Sequence, residues 1–216
     1  RENQLRVFDR VLRHNLRNNM NVVLGNAEWI RENPDTDHDK AAHRILDAGN
    51  DLVALANKER RIVELAMNPQ HMQPVELAPV LERIREAILD QYPDSEINIE
   101  GTREVTVQAI PEIEDAIYEL VENGIEHQSR ETPRVTVTVH EEADVLSVRV
   151  KDEGPGIPEM ERSVLLGEHD ITPLLHGSGL GLWLVKHIVT QSGGRLAIEE
   201  NDPVGSIVEV RFPTTR

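Results

Sequence analysis

The chain has 216 residues, a formal net charge of −16 and no cysteine. This length allows one or two domains with a hydrophobic core, while the lack of cysteine excludes disulfides, thiolate catalysis and cysteine-ligated zinc. The acidic balance argues against nucleic-acid binding, which needs clustered Lys and Arg opposite phosphate groups.

The first part of the chain is predicted to form a long antiparallel helical hairpin. Over residues 1–31, apolar residues recur at three-, four- or seven-residue spacing, which is typical of a helix with coiled-coil character. Pro34 ends this helix, and a second helix is predicted over residues 37–67. Since each helix has one apolar stripe, two copies of the hairpin (residues 1–68) are expected to form a dimeric four-helix bundle.

The chain begins at Arg1, and its first residues already have a helical pattern. We therefore expect a fragment of a longer protein. It has no run of eighteen apolar residues and no signal peptide, so this fragment is expected to be cytoplasmic and to make no membrane contact.

After a linker at residues 68–74, the pattern changes to α+β, and residues 75–216 are assigned to a second domain. Helices are predicted over residues 77–89, 111–128 and 182–191. Strands are predicted over residues 96–100, 105–107, 134–140, 146–150, 195–198 and 206–212. Strands interleaved with helices on one face indicate a two-layer α/β sandwich.

Two glycine clusters flank a stretch of low periodicity. The first, at residues 152–158, follows a predicted strand, and the second, at residues 177–182, opens a helix. Glycine lets the backbone approach a ligand closely, and the free N–H groups at a helix start can bind anions. Most such clusters are only turns, but this pair is typical of the walls and lid of a nucleotide pocket.

His14 is a candidate nucleophile. It lies two residues from both Leu12 and Leu16, so at 100° per residue it points away from the apolar face. An ordinary surface histidine is the simpler interpretation. An exposed imidazole on a rigid helix can also attack a phosphoryl group.

Three acidic or amide side chains are candidates for ligand binding. Glu119 and Asn123 lie four residues apart on one helix face, where they could hold a hydrated Mg²⁺ or simply form a solvated acidic face. Asp152 ends a strand and could accept a hydrogen bond from an exocyclic amino group, or merely initiate a turn.

The order of these features resembles the core of a sensor histidine kinase. The motifs are E-L-V-E-N at 119–123, D-E-G-P-G-I-P at 152–158 and G-S-G-L-G-L at 177–182, together with the exposed histidine and the closing strand at 205–213. The resemblance covers nearly the whole chain, as a phosphoacceptor hairpin followed by a GHKL-type ATPase domain. It implies a homodimer that uses ATP and Mg²⁺ to phosphorylate His14 and passes the phosphoryl group to an aspartate of a response-regulator receiver domain.

The resemblance also implies roles for individual residues. His14 falls on the phosphorylated histidine, and Asn18 on a position that orients water for phosphatase action. Asn123 matches the Mg²⁺-chelating asparagine, and Glu119 a position that is a catalytic Glu in related ATPases. The remaining positions implied in nucleotide binding are His127, Asp152, Gly154, Gly156, Gly177, Gly179, Leu180 and Gly181.

The chain departs from the family pattern at several places. Asn15 replaces an acidic residue after the histidine and cannot take a proton, and Glu126 replaces a common basic residue. The only strong cation in the lid is Arg162, early in the segment, so a cationic clamp on the γ-phosphate is not obvious. His169 or His176 would have to take that role. Two alternatives therefore stay open: a nucleotide-binding scaffold or phosphatase without kinase activity, and a GHKL ATPase that uses Glu119 as base and carries no phosphohistidine.

The acidic residues are spread along the chain, and lysine is rare. Such a surface resembles that of proteins from salt-loving organisms such as haloarchaea; the alternative is an ordinary acidic cytosolic protein. The four lysines are Lys40, Lys58, Lys151 and Lys186.

If the chain is halophilic, its melting temperature should rise between low-salt buffer and molar KCl. The reason is that repulsion between surface carboxylates is screened to about 3 Å at 1 M salt. Circular dichroism melting at a series of KCl concentrations measures this, and a melting temperature indifferent to salt would contradict the halophilic interpretation.

Overall fold

The computed structural model describes residues 2–67, 71–101, 105–142, 144–159, 162 and 179–213, apart from the side chains of residues 2–12, 14, 66, 179 and 180. The described residues fall into two compact units. One contains residues 2–67 and the other contains the described residues from 71 onward.

The first unit consists of two long helices, α1 (Glu2–Glu32) and α2 (Asp39–Met67), which pack against each other. Asn33 ends α1, where its backbone N–H donates to Trp29 O at 3.1 Å. The buried side chains of α2 include four at seven-residue intervals, which is the spacing of a coiled-coil seam: Ala41, Ala48, Leu55 and Ile62. No helix in the described part of the chain is long and apolar enough to cross a membrane.

Within the single chain, α1 buries Asn15, at 8% exposure, whereas Leu16, which the periodicity placed on the apolar face, is 49% exposed. Neighbouring helix positions differ by 100°, so burying Asn15 turns Leu16 outward. Val23 and Ile30, also placed on the apolar face, are half-buried, and burial of Leu16 in the expected dimer stays a prediction. Other large apolar side chains exposed on this unit are Met20, Val22, Leu24, Trp29, Leu46, Val53, Val63 and Met67.

The second unit is built on a mixed five-stranded sheet with the order β2–β4–β5–β7–β6. Its strands are β2 (Glu96–Gly101), β4 (Arg134–Glu142), β5 (Val145–Asp152), β6 (Arg195–Glu200) and β7 (Ser206–Pro213). A separate antiparallel pair is formed by β1 (Gln73–Glu76) and β3 (Thr106–Ala109). The helices are α3 (Leu77–Gln91), α4 (Ile113–Glu126) and α5 (Gly179–Gln191).

In the large sheet, β2 runs parallel to β4. The pairs β4–β5, β5–β7 and β7–β6 are antiparallel. On β4 the buried Val135, Val137 and Val139 alternate with half-exposed residues, as expected for a sheet with one covered face. The helices of this unit contact the sheet. The α+β class predicted for this part of the chain is confirmed, while assembly into a dimeric bundle stays a prediction.

Several element boundaries differ from those predicted. The stretch assigned to a linker ends in β1, where Val75 pairs with Val107. Its four residues are too few to show a periodic pattern, and Pro74 is tolerated because β1 is an edge strand. Helix α4 begins at Ile113 and not at Pro111, and α5 begins at Gly179, three residues before the predicted start.

The β6–β7 turn lies directly against the end of β5. Gly205 in this turn has a φ of 112°, and a methyl group on its Cα would lie 2.1 Å from the backbone oxygen of Asp152. Since L-residues rarely adopt this φ and no side-chain atom fits at that distance, only glycine allows this contact.

Gly205→Ala should therefore lower the free energy of unfolding by about 3 kcal/mol, through backbone strain and the clash together. Gly193→Ala is the matched control, because Gly193 also has a positive φ, of 70°, but open space around its Cα. That control should lose only about 1–2 kcal/mol. Urea unfolding measures both, and equal losses would contradict the close packing of the turn on β5.

Candidate functional site

A pocket of about 390 Å³ lies in the second unit, beside the end of β5. Much of its wall is apolar and includes Leu120, Ile157, Leu182 and Val208. The polar side chains that line it are those of Asn123, His127, Asp152 and Ser206. Apolar walls with a few convergent polar groups are typical of a small-molecule site, and here they suit a flat ring with a polar edge.

The Asp152 carboxylate is held in a fixed orientation. Its Oδ1 accepts hydrogen bonds from Gly154 N at 2.8 Å and Ser206 N at 3.2 Å, and the Ser206 hydroxyl donates to Oδ2. The hydrogen bond from Gly154 N belongs to a local turn, which is the simpler role that the sequence allowed for Asp152. The two hydrogen bonds from Ser206 come from a distant strand and are not part of that turn. An ionised carboxylate only accepts, so its remaining lone pairs select a ligand that presents an N–H.

Helix α4 reaches the pocket because Gly124 lets it lie close to the sheet. A methyl group at this position would be 2.9 Å from Val135 Cγ2 and 3.3 Å from Asp152 Cβ. Such distances leave no room for a larger residue unless the helix moves outward. The close approach places Asn123, directly before Gly124, and His127, directly after the end of α4, in the wall of the same pocket as Asp152.

The C-terminal end of α4 is tied to β4 by Gln128. This residue is buried, and its amide donates to Gly124 O at 2.5 Å and to Arg134 O at 2.8 Å. Its Oε1 accepts from Arg134 N at 3.1 Å. These hydrogen bonds fix the part of the helix that carries His127.

The outer side of α4 is held by α3. The Arg83 guanidinium donates to both Glu114 oxygens, at 2.9 and 2.5 Å. The Tyr118 hydroxyl lies 3.0 Å from Gln91 Oε1 and 3.2 Å from Glu122 Oε1. Burial, together with the charge of Glu122, raises the pKa of Tyr118, so this hydroxyl remains a hydrogen-bond donor at neutral pH.

Glu119 and Asn123, predicted to act together on Mg²⁺, have different surroundings. Asn123 lines the pocket, and its buried Nδ2 has no hydrogen-bond partner among the described residues. Glu119 is also buried, at 7% exposure, but the pocket is lined by its neighbour Leu120 instead. The predicted catalytic and metal roles of Glu119 therefore receive no geometric support and stay predictions.

The described residues do not form a metal cluster at this site by themselves. In the described part of the chain, no group of three or more His, Asp or Glu side chains is arranged to hold an ion. An amide oxygen such as that of Asn123, completed by ligand phosphates and water, is a usual environment for Mg²⁺. The unsatisfied Nδ2 of Asn123 is an N–H donor, so it fits a phosphate oxygen of such a ligand and not the metal ion itself.

The glycines of the two predicted clusters are distributed around the site. Gly156 lines the pocket, while Gly154 contributes its N–H to Asp152. Gly179 and Gly181 belong to the first turn of α5, and the residue after Gly181, Leu182, is part of the pocket wall. The predicted nucleotide residue Leu180 also lies in α5, but its side chain is not described, and Gly177, His169 and His176 lie outside the described residues.

His14 and Asn18 belong to the first unit, on α1. Asn18 is exposed. The side chain of His14 is not described, so its predicted exposure stays a prediction. The structure therefore brings Asn123, His127, Asp152 and Gly156 together in one pocket, without testing the two hairpin positions.

Sequence reasoning missed Ser206. Its only signal was its place directly after Gly205 in the closing strand, which does not indicate a partner. The partner follows from the β5–β7 register, in which Lys151 lies opposite Ile207, so that Ser206 comes next to Asp152.

The strong cations near the pocket are engaged elsewhere. Arg130 forms an ion pair with Glu153, and Arg162 donates to Ile198 O at 3.0 Å. Burial lowers the pKa of Lys186 on α5, and neither Lys nor Arg is among the described residues that line the pocket. Within the described part of the wall, His127 is thus the one side chain that can become positively charged.

Residues 108–216 match the family of histidine kinase-, DNA gyrase B- and HSP90-like ATPases, and the chain belongs to this family. Domains of this family bind ATP, usually with Mg²⁺. The pocket fits that ligand, since a fixed carboxylate faces apolar walls suited to a base and an unsatisfied amide lies nearby.

Two relatives, MprB and PrrB, are named as histidine kinases. MprB of Mycolicibacterium smegmatis, a signal transduction histidine-protein kinase/phosphatase, is 30% identical over 152 residues, or 67% of this chain and 31% of MprB. The sensor-type histidine kinase PrrB of Mycobacterium tuberculosis is 24% identical over 96% of this chain and 48% of its own length. The chain thus spans about a third to a half of these relatives.

Solved structures share the fold of this chain over most of its length. Histidine kinase ThkA, in complex with response regulator protein TrrA, matches with a TM-score of 0.72 and 20% identity, covering 94% of this chain and 59% of that chain. At this identity the match shows a shared fold. That fold includes the helical region before the ATPase domain.

Asp152→Asn should weaken Mg-ADP binding at least about tenfold, because a charged acceptor for the base amino group is lost and an amide N–H is placed against existing donors. Isothermal titration calorimetry measures this. The control is Glu153→Gln, which changes the adjacent carboxylate, whose partner is Arg130. Unchanged affinity in Asp152→Asn would show that the nucleotide binds elsewhere.

Proposed function

We propose that this chain is the catalytic core of a two-component sensor histidine kinase, which uses ATP bound beside Asp152 to phosphorylate His14. The observation that carries the proposal is the pocket itself. It combines a fixed carboxylate at Asp152 with the unsatisfied amide of Asn123 in a domain of an ATP-binding family. PrrB, whose match extends across the hairpin as well as this domain, is named a sensor-type histidine kinase.

The proposed reaction is a phosphoryl transfer to imidazole. A nitrogen of His14 forms a bond to the γ-phosphorus as the bond to the bridging oxygen breaks, its electron pair leaving on ADP and the ring proton passing to solvent. Mg²⁺, when bound, would supply positive charge beside a described pocket wall that contains no Lys or Arg. The chain's part is positional, since Asp152 orients the base and Asn123 lies where the metal–phosphate end is expected.

We also propose that the hairpin forms the homodimer. Leu16 and Met20 on α1, with Leu46 and Val53 on α2, leave apolar surface exposed on a unit of only two helices. A second copy would cover this surface as a four-helix bundle, in which contact between apolar side chains stabilises both hairpins.

The proposed recipient of the phosphoryl group is an aspartate on a response-regulator receiver domain, docked along the hairpin near His14. Support comes from the relatives named as sensor kinases and from the ThkA complex, which shares this fold and contains a response regulator.

A second candidate activity is removal of the phosphoryl group from the regulator. Two observations favour it: Asn15, directly after His14, is a buried amide that cannot take a proton, and Asn18 is exposed on α1 one turn after His14. An exposed amide can orient a water molecule, and MprB is named as both kinase and phosphatase. The two activities are compatible in one protein.

His14→Gln should abolish incorporation of label from γ-labelled ATP with Mg²⁺ in molar KCl, while Mg-ADP affinity stays within about twofold of the wild-type value, since the change lies outside the pocket. The label on the wild-type chain should survive base and be lost in acid. The matched control is His43→Gln, an exposed histidine on α2, which should retain full labelling.

Other outcomes distinguish the alternatives. An unlabelled wild-type chain that still binds nucleotide would contradict the autokinase proposal and favour the phosphatase or scaffold. Steady ATP turnover that is abolished in Glu119→Gln, with no acid-labile label, would indicate a GHKL ATPase.

A further inference from the structure

Asn201, in the turn between β6 and β7, is a buried polar residue that the proposed reaction does not use. It is 8% exposed, although it lies in a surface turn. Its Nδ2 donates to the backbone oxygen of Asp152 at 2.7 Å and to Val204 O at 3.0 Å. Its own N–H donates to Gly205 O at 3.0 Å. The Asn201 amide therefore joins the turn to the residue that faces the pocket.

The rest of the same turn also ends on Asp152. Gly205 packs so closely on the Asp152 carbonyl that a methyl group would lie 2.1 Å from it. Ser206 then holds both oxygens of the carboxylate. Hence the backbone of Asp152 is fixed by Asn201, in the turn, and its side chain by Ser206, the first residue of β7.

We propose that Asn201 is a positioning residue that sets the preference of the pocket for adenine over bases with an oxo group at the same ring position. It acts through Asp152: by fixing the end of β5, it keeps the free lone pairs of the carboxylate aimed at the exocyclic amino group. This inference rests on the proposed binding of an adenine nucleotide in the pocket.

The chemistry predicts an effect on selectivity and not merely on affinity. A carboxylate in a fixed position attracts an amino group and repels an oxo group. A pocket that fits the amino group of adenine therefore fits hypoxanthine poorly, because hypoxanthine has an oxo group at the same ring position. Without the Asn201 amide, the backbone oxygens of Asp152 and Val204 lose a donor, and the strand end is expected to shift to recover one. A shifted carboxylate binds adenine less well and rejects hypoxanthine less strongly.

A purely structural role for Asn201 would give a different result. The turn would then be less stable, but any molecules that remain folded would discriminate between the bases as before. Stability and selectivity therefore have to be measured on the same variants.

The experiment is calorimetric titration of the 216-residue chain with Mg-ADP and with Mg-inosine diphosphate, for wild type, Asn201→Ala and Asn201→Ser. In Asn201→Ala the ratio of the two affinities should fall about tenfold, the worth of one well-placed hydrogen bond to a charged group. Asn201→Ser retains a short donor and should give an intermediate ratio. It also provides the measurement if the alanine variant does not fold.

The control for lost stability is Ser192→Ala. Ser192 is 2% exposed and accepts a hydrogen bond from Ile110 N at 3.2 Å, so its loss also removes a buried polar contact of this unit. Ser192 is not part of the pocket wall. This variant should melt at lower temperature with an unchanged affinity ratio.

An unchanged ratio in folded Asn201 variants, with only a lower melting temperature, would overturn the positioning role. If the wild-type chain binds neither nucleotide, the proposed ATP site is wrong as well. A wild-type chain that binds both equally would overturn the inference while leaving nucleotide binding intact.

Discussion

Hydrogen bonds from β7 hold the Asp152 carboxylate, and the geometry of the pocket depends on them. They exist only in one register of β5 against β7, that in which Lys151 lies opposite Ile207. A slip of one residue would turn Ser206 to the other face of the sheet and leave the carboxylate with only its local partner, Gly154. The position of the Asp152 carboxylate in the pocket wall therefore depends on the pairing of β5 with β7 more than on the glycine motif that follows Asp152 in the sequence.

The charge of the chain bears on how it would bind a nucleotide. With a net charge of −16 and no Lys or Arg in the described part of the pocket wall, these residues offer little attraction to a bare triphosphate. Binding would then depend on the base, on the metal ion and on the start of α5, where backbone N–H groups are free to meet an anion. High ionic strength would screen the repulsion from the acidic surface.

The elements that could be predicted are those with a strong local pattern. The alternation of β4 and the apolar spacing of α3 and α4 are readable without partners, and Asp152 and Asn123 could be proposed as site residues because each follows from a motif. Strand β1 was missed because four residues around Pro74 have no periodicity of their own. The burial of Asn15 was not predicted, because an amide beside the apolar Leu16 gives no local signal of burial.

By itself, the sequence determined the two-part organisation, the α+β character of the second part and the residue types that could meet a nucleotide. Only the tertiary structure decided that Ser206 and Asn201 converge on Asp152, and that Gly124 brings α4 close enough to share the pocket. The physical reason is that local patterns report burial and backbone preference within a few residues. Contacts between residues some fifty positions apart arise from sheet register and close packing, which no single segment encodes.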